Sequence, residues 1–299
     1  MEEFRRADDA PGVTPVLVDS DWALAHLRDP AVRFVEVDER ASRGQYNHGH
    51  IPGAINWRWE VDLQDPVRRD VPGPEALSAL LVRSGIGPLT HVVLYGDPDN
   101  WFAAYAYWLL RLYGWPRLSL LDGGRRSWIG SGLPVTRETP IVDPAVVHLL
   151  TPSDSVRAFH AEVLAVSGHQ ANDAVLVDAR SPAEYAGEVI APPGMAETAQ
   201  RPGHIPGAVS IPWDAAVRPD GTFRSPAELT ALYEDAGVTP DQDVITYCRI
   251  GERSSHSWFV LHELLGYPRV RNYDGSWTEW GSMVRAPIEL GQAGGRLST

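Results

Sequence analysis

Residues 246–256 read Thr246-Tyr247-Cys248-Arg249-Ile250-Gly251-Glu252-Arg253-Ser254-Ser255-His256, a polar loop caught between two apolar patterns. Before it runs a β-branched segment, Asp243 to Tyr247; after it come Trp258, Leu261, Leu264 and Leu265 at helical spacing. The same strand-loop-helix frame occurs 152 residues earlier, where Leu94-Tyr95-Gly96 falls on Thr246-Tyr247-Cys248. Without a gap, that register brings Gly114-Trp115-Pro116 onto Gly266-Tyr267-Pro268, Asp122-Gly123-Gly124 onto Asp274-Gly275-Ser276, and Trp128 onto Trp280. Further upstream, His50-Ile51-Pro52-Gly53-Ala54 recurs as His204-Ile205-Pro206-Gly207-Ala208, and Val37-Asp38-Glu39-Arg40 as Val177-Asp178-Ala179-Arg180. The offsets of 154 and 140 place fourteen extra residues in the second copy, within Glu188 to Arg201, whose Pro, Gly and Ala content predicts a surface loop.

The repeat predicts two similar domains: residues 1–134, a linker over 135–153 without helical pattern, and residues 154–299. Short apolar runs (33–37, 91–95, 174–177 and 243–247) alternate with amphipathic segments such as Ala76, Leu77, Leu80, Leu81 and Leu229, Leu232, Tyr233. That alternation predicts an α/β fold, each domain a mostly parallel sheet with helices on both faces.

Composition narrows the chemistry. The 26 basic residues are all arginine, so Schiff-base lysines, Walker-A lysines and the kinase strand lysine are excluded. A formal charge of −13 disfavours nucleic acid and anionic membrane surfaces as partners. One cysteine, Cys248, excludes an internal disulfide and an all-cysteine metal cage, and no metal or organic cofactor is expected. The opening MEEFRRADDAPG lacks an apolar signal-peptide core, and no apolar run approaches membrane-spanning length, so cytoplasmic residence is the expectation.

Cys248 stands at the carboxyl end of a predicted parallel strand, where α/β sheets place ligands. A helix start and the charges of Arg249 and Arg253 are expected to lower its thiol pKa from about 8.5 to ~7 or below. Gly251 allows a tight turn whose N–H groups point inward, a nest for sulfur or an anion. The first copy reads Gly96-Asp97-Pro98-Asp99-Asn100-Trp101 at this place, with no nucleophile and no arginine. One copy is thus expected to be catalytic and the other not.

The paired domains, Val177-Asp178-Ala179-Arg180-Ser181-Pro182, Gly203-His204-Ile205-Pro206-Gly207-Ala208, the Cys248 loop and Asp274-Gly275-Ser276-Trp277-Thr278-Glu279-Trp280 together resemble the tandem-domain rhodanese family, the thiosulfate and 3-mercaptopyruvate sulfurtransferases. The resemblance implies two tandem rhodanese-like domains and covalent catalysis. The Cys248 thiolate takes the outer sulfur of a small anionic donor as a persulfide and passes it to cyanide or a thiol. It makes Cys248 the nucleophile and Arg249, Ile250, Gly251, Glu252, Arg253, Ser254 and Trp277 the donor-binding residues. Arg249 after the cysteine resembles the thiosulfate type of loop, with 3-mercaptopyruvate as the alternative donor. Relatives carry a substrate-binding arginine where this sequence has Glu184, so either Arg253 takes that part or the acceptor side differs.

Other readings remain open from the residues. A non-enzymatic sulfur-relay module would use the same persulfide. A cysteine-dependent phosphatase needs arginine six positions after the cysteine, where Ser254 stands. His256 is read as a surface-helix residue ahead of a general base, and His50 and His204, present in both copies, as structural. Asp38 and Asp178 are expected to anchor strand ends or pair with Arg40 and Arg180, Asp122 and Asp274 to fix Asp-Gly turns, and Trp280 to pack in the core.

Overall fold

The structure, a computed structural model, describes residues 14–39, 44–97, 99–147, 151–168, 174–192 and 199–291. The first thirteen residues, Arg40, Pro98 and the middle of the Glu188 to Arg201 insertion are among those outside them. The chain divides into two compact units, Met1–Ser153 with Val217–Ser225, and Asp154–Ala216 with Pro226–Thr299.

The first unit is built on strands β1 (Leu17–Val18), β2 (Val32–Asp38), β3 (Ile55–Arg58), β4 (His91–Gly96) and β5 (Leu118–Leu121), in the order β1-β5-β4-β2-β3. The second has β6 (Ala174–Asp178), β7 (Val209–Ser210), β8 (Asp243–Tyr247) and β9 (Val270–Asn272), in the order β7-β6-β8-β9. Every pairing in both sheets is parallel. A single parallel bridge, Arg157 to Asn272, stands beside β9 where the first unit has β1 beside β5. Central strands β4 and β8 are buried at nearly every position, which requires cover on both faces and explains their unbroken apolar runs. The predicted amphipathic helices are Pro74–Arg83, which buries Leu77, Leu80 and Leu81, and Pro226–Glu234, which buries Leu229 and Tyr233. Among the described residues no helix is long and apolar enough to cross a membrane.

Both units lock the turn before β3 and β7, respectively, in the same way. His50 stacks on Tyr46 with ring centroids 3.7 Å apart and contacts the Tyr46 carbonyl through Nδ1 at 2.8 Å. His204 stacks on Tyr185 at 3.7 Å and contacts its carbonyl at 2.8 Å. The tyrosine hydroxyls donate to Ala54 and Ala208, and the Ile51 and Ile205 N–H groups donate to the hydroxyls of Tyr95 and Tyr247. These histidines are structural, as their presence in both copies predicts. Trp128 and Trp280 are core residues in matching places, their indole N–H groups donating to Pro134 and Pro287.

The aspartates divide differently from expectation. Asp178 and Arg180 do pair, fully buried, Oδ2 to Nη2 at 2.6 Å. Asp122 reaches beyond its turn to accept the Phe223 N–H at 2.9 Å, and Asp274 holds Arg157 through two bonds of 2.8 and 2.9 Å. Asp122 also holds the Gly123 backbone of its own turn, and the ties of both aspartates to distant segments are what a local Asp-Gly pattern does not reveal.

Candidate active site

Cys248 is the first residue beyond β8, and the Asp274-Gly275-Ser276-Trp277 motif fixes its backbone. Its N–H donates to Ser276 Oγ at 3.0 Å, and its carbonyl accepts the Trp277 N–H at 3.0 Å. Ser276 can serve because its own hydroxyl donates to Tyr273 O at 2.7 Å, which orients the lone pairs toward Cys248. Arg249 O accepts the Thr278 N–H at 3.0 Å, a second rung of the same seam. Three such ties hold the loop with no regular secondary structure of its own.

Gly251 closes the loop. It adopts φ 100°, a left-handed conformation, and a Cβ there would meet Asp274 backbone at 3.0 Å. Its N–H points inward and donates to Cys248 Sγ at 3.2 Å. The outward carbonyl accepts from the hydroxyls of Ser254 (3.1 Å) and Ser255 (2.7 Å) and from Asn272 Nδ2 (3.2 Å). These serines hold the turn that aims the Gly251 N–H at the sulfur. The helix that follows, Glu252–Trp258, continues as a π-helical turn, Phe259–Leu264.

The charges are arranged otherwise than the linear pattern suggests. Arg253 is buried, its guanidinium bidentate to Glu184, Nη1 to Oε2 at 2.8 Å and Nη2 to Oε1 at 3.0 Å. Its Nε lies 3.6 Å from Glu252 Oε1. Glu252 is itself fully buried and sets Oε2 3.2 Å from Cys248 Sγ. Burial pushes the Cys248 thiol pKa up, Glu252 pushes it further, and Arg253 with the Ser254 hydrogen bonds only partly offsets them. The expected lowering of the thiol pKa is therefore reversed: the arginine counted toward it is neutralised by a glutamate 69 residues away, and a carboxylate adjoins the sulfur.

The loop residues Arg249 and Ile250 are each 5% exposed. Trp277 lies in the core cluster, its indole N–H on Arg201 O at 2.9 Å and its ring 4.4 Å from the Arg180 guanidinium carbon. The surface reading of His256 is overturned: it is fully buried, edge-on to Trp213, and burial drops its pKa to about 3. A neutral ring is the form that survives there. Glu184 and Ser276 escaped the sequence reading as partners of this loop, and only the Ser276 position inside the repeated Asp-Gly motif offered a signal. Among the described residues no group of three His, Cys, Asp or Glu side chains comes together to hold a metal ion.

The matching loop of the first unit is filled. Gly96 stands in place of Cys248, and its N–H donates to Asn100 Oδ1 at 3.0 Å. The Asn100 amide nitrogen donates to Leu121 O at 2.7 Å. A Cβ on Gly96 would come within 2.3 Å of Val37 O, and one on Gly124 within 2.3 Å of Asn100 Oδ1.

Comparison with known proteins agrees with the repeat. The rhodanese-like domain family matches residues 19–131 and again 162–283. A Mycobacterium bovis protein named "Putative thiosulfate sulfurtransferase 1" is 52% identical over 278 residues, 92% of this chain and 98% of that one. The Thermus thermophilus "Sulfur carrier protein TtuD" is 50% identical over 279 residues, 93% of this chain and 97% of its own. Among solved structures, SseA from Escherichia coli, described as a 3-mercaptopyruvate sulfotransferase, superposes with a TM-score of 0.75 at 29% identity, covering 88% of this chain and 99% of SseA. Two matched domains, a cysteine loop held at the end of a parallel strand and this depth of identity converge: the chain belongs to the rhodanese family.

Proposed function

We propose that the protein is a thiosulfate sulfurtransferase that carries the transferred sulfur as a persulfide on Cys248. The carrying observation is the Cys248 sulfur at the end of β8 with the Gly251 N–H donated onto it at 3.2 Å. Such a donor stabilises negative charge on sulfur, and in a buried loop it does so without competition from water. Cys248 Sγ bonds to the outer sulfur of thiosulfate, sulfite departs with the electron pair of the broken S–S bond, and cyanide or a cellular thiol removes the bound sulfur in a second half-reaction. Relatives named for thiosulfate support this donor, as does Arg249 beside the nucleophile.

The remaining loop residues take narrower parts. Gly251 supplies the N–H, Ser254 its support, and Ile250 an apolar wall. Arg253 acts through its pairing with Glu184 rather than as a direct clamp on the donor, and Trp277 holds the Cys248 carbonyl through its backbone. A sulfur-relay role stands as the second reading, favoured by the 50% identity to a protein named as a sulfur carrier. The test is intact mass after incubation with thiosulfate or with 3-mercaptopyruvate, followed by cyanide. The expected result is a one-sulfur gain, faster from thiosulfate, that cyanide removes as thiocyanate. No adduct from either donor overturns the reading, and faster loading from 3-mercaptopyruvate reassigns the donor.

A further inference from the structure

We infer that Glu252 is a catalytic residue of the sulfur-transfer reaction, the group that takes the Cys248 thiol proton and hands it to the departing sulfite. The inference rests on the sulfurtransferase reading above and deepens it. Its ground is the contact between two fully buried side chains, Cys248 Sγ and Glu252 Oε2, at 3.2 Å. A carboxylate inside a protein is costly unless it is hydrogen-bonded or paired. The other oxygen of Glu252, Oε1, makes no hydrogen bond among the described residues and has the Arg253 Nε at 3.6 Å. The sulfur is therefore the principal hydrogen-bond partner on which this carboxylate closes.

The repeat supplies an internal control. With the 152-residue offset, position 252 falls on Asn100, one methylene shorter and without a proton-accepting carboxylate. In the copy without the sulfur, the acid is replaced by an amide that fills the loop. Carboxylate and cysteine go together.

The remaining charged groups around the pair are engaged elsewhere. Glu184 is held by Arg253, Asp178 by Arg180, and Asp274 by Arg157. Arg249, on the loop itself, carries donors and no acceptor, and His256, on the same helix as Glu252, is kept neutral by burial. That leaves Glu252 as the carboxylate in contact with the sulfur, placed to accept its proton.

The step balances. As Cys248 Sγ bonds to the outer sulfur of thiosulfate, its proton moves to Glu252 Oε2. The S–S bond of the donor breaks with its electron pair on sulfite, and Glu252 returns the proton to that oxyanion. Thiol and thiosulfate dianion become persulfide anion and hydrogensulfite, two negative charges before and two after. The carboxylate ends as it began, ready for the next donor. A thiol whose ionisation is opposed by burial thereby reacts without first losing its proton to water.

The test is single-turnover persulfide formation, followed by quenched intact mass from pH 6 to pH 9, in the wild type and in Glu252→Gln. Glu252→Gln is expected to slow loading at neutral pH by about 10²-fold, the lower range for loss of a general acid-base group. Its rate should climb about tenfold per pH unit toward the wild-type value, because it must wait for free thiolate. The wild-type rate should stay nearly flat over the same range and fall in deuterated water. A Glu252→Gln rate equal to or above wild type at pH 7 overturns the inference, since a carboxylate that only repels charge makes the thiolate scarcer and its removal speeds loading. Should Glu252→Gln fail to fold, the wild type decides alone: a tenfold rise per pH unit with no solvent isotope effect overturns the relay. Loading of the wild type by sulfur at all, with the relay refuted, leaves the sulfurtransferase reading standing.

Discussion

The loops after β4 and β8 share a frame and differ in what occupies it. In each, the chain leaves a buried parallel strand, turns through a left-handed residue (Asp99 at φ 44°, Gly251 at φ 100°), and offers a backbone N–H to a side-chain oxygen 3.0 Å away. In the first loop that oxygen is on Asn100, inside the turn. In the second it is on Ser276, outside the turn, which leaves the interior to the Cys248 sulfur. The difference teaches that a copy of a site loses function by more than losing its nucleophile. Gly96 and Gly124 are required by the filled state, since a side chain at either collides with Val37 O or Asn100 Oδ1. Restoring a cysteine at position 96 alone meets a backbone oxygen, not an empty site.

Three substitutions probe that contrast, in falling order of effect. Cys248→Ser removes the sulfur from the open loop and should cut turnover more than about a thousandfold while moving the thermal midpoint little, because the hydroxyl fits the same space. Steady-state assay with thiosulfate and cyanide checks it, and turnover near wild type would show that the nucleophile lies elsewhere.

Glu184→Gln strikes the pairing that the first loop lacks, where Gln45 precedes the stacked Tyr46 as Glu184 precedes Tyr185, and Trp101 takes the place of Arg253. Leaving Arg253 buried without its partner should cost about 3–5 kcal/mol in denaturant unfolding at pH 7. Burial alone would raise the Glu184 pKa, but the hydrogen bonds and charge of Arg253 outweigh it and hold the group below its ordinary value of 4.5. A depressed native pKa stabilises the fold fully above the unfolded value and loses that contribution as pH falls through the native one. The wild type should therefore lose stability below pH 4.5 more steeply than Glu184→Gln. Parallel acid limbs in the two proteins would remove the pair from the account.

Asn100→Ala empties the filled loop. Losing its bonds to Gly96 and Leu121 should cost about 1–3 kcal/mol in the same unfolding experiment, with turnover unchanged. A fall in turnover would mean that the closed loop serves the open one.

Much of the frame was legible in the sequence, and the reasons are local. The strand before Cys248 is predicted at Asp243 to Tyr247 and found there, because a run buried on both faces is apolar throughout. The shortest strands, Leu17–Val18 and Val209–Ser210, carry too few residues for any period to register. The histidines were legible through the repeat, since a residue kept in both loops' surroundings serves the fold. The charges at the site were not. Arg253 reads as an anion binder beside Cys248, yet Glu184 reaches it from 69 positions away and Asp274 takes Arg157 across 117. Which acid answers which base is set by folding, and a linear string of arginines overstates the positive field that results. His256 was misjudged for a related reason: polar spacing marks a surface helix only where nothing packs over it, and Trp213 does.

The tyrosine-histidine stack has a bearing on how this family of chains can grow. In the first unit the two stacked rings are four residues apart, and in the second nineteen, yet both stacks close at 3.7 Å. Chain inserted between two points already pinned to each other adds little beyond closure entropy, about 1–1.5 kcal/mol for this change in span. The stack thus makes the length between its rings a nearly neutral variable, so that extra chain can be gained, lost or recomposed at this place while the sheet behind it keeps its register.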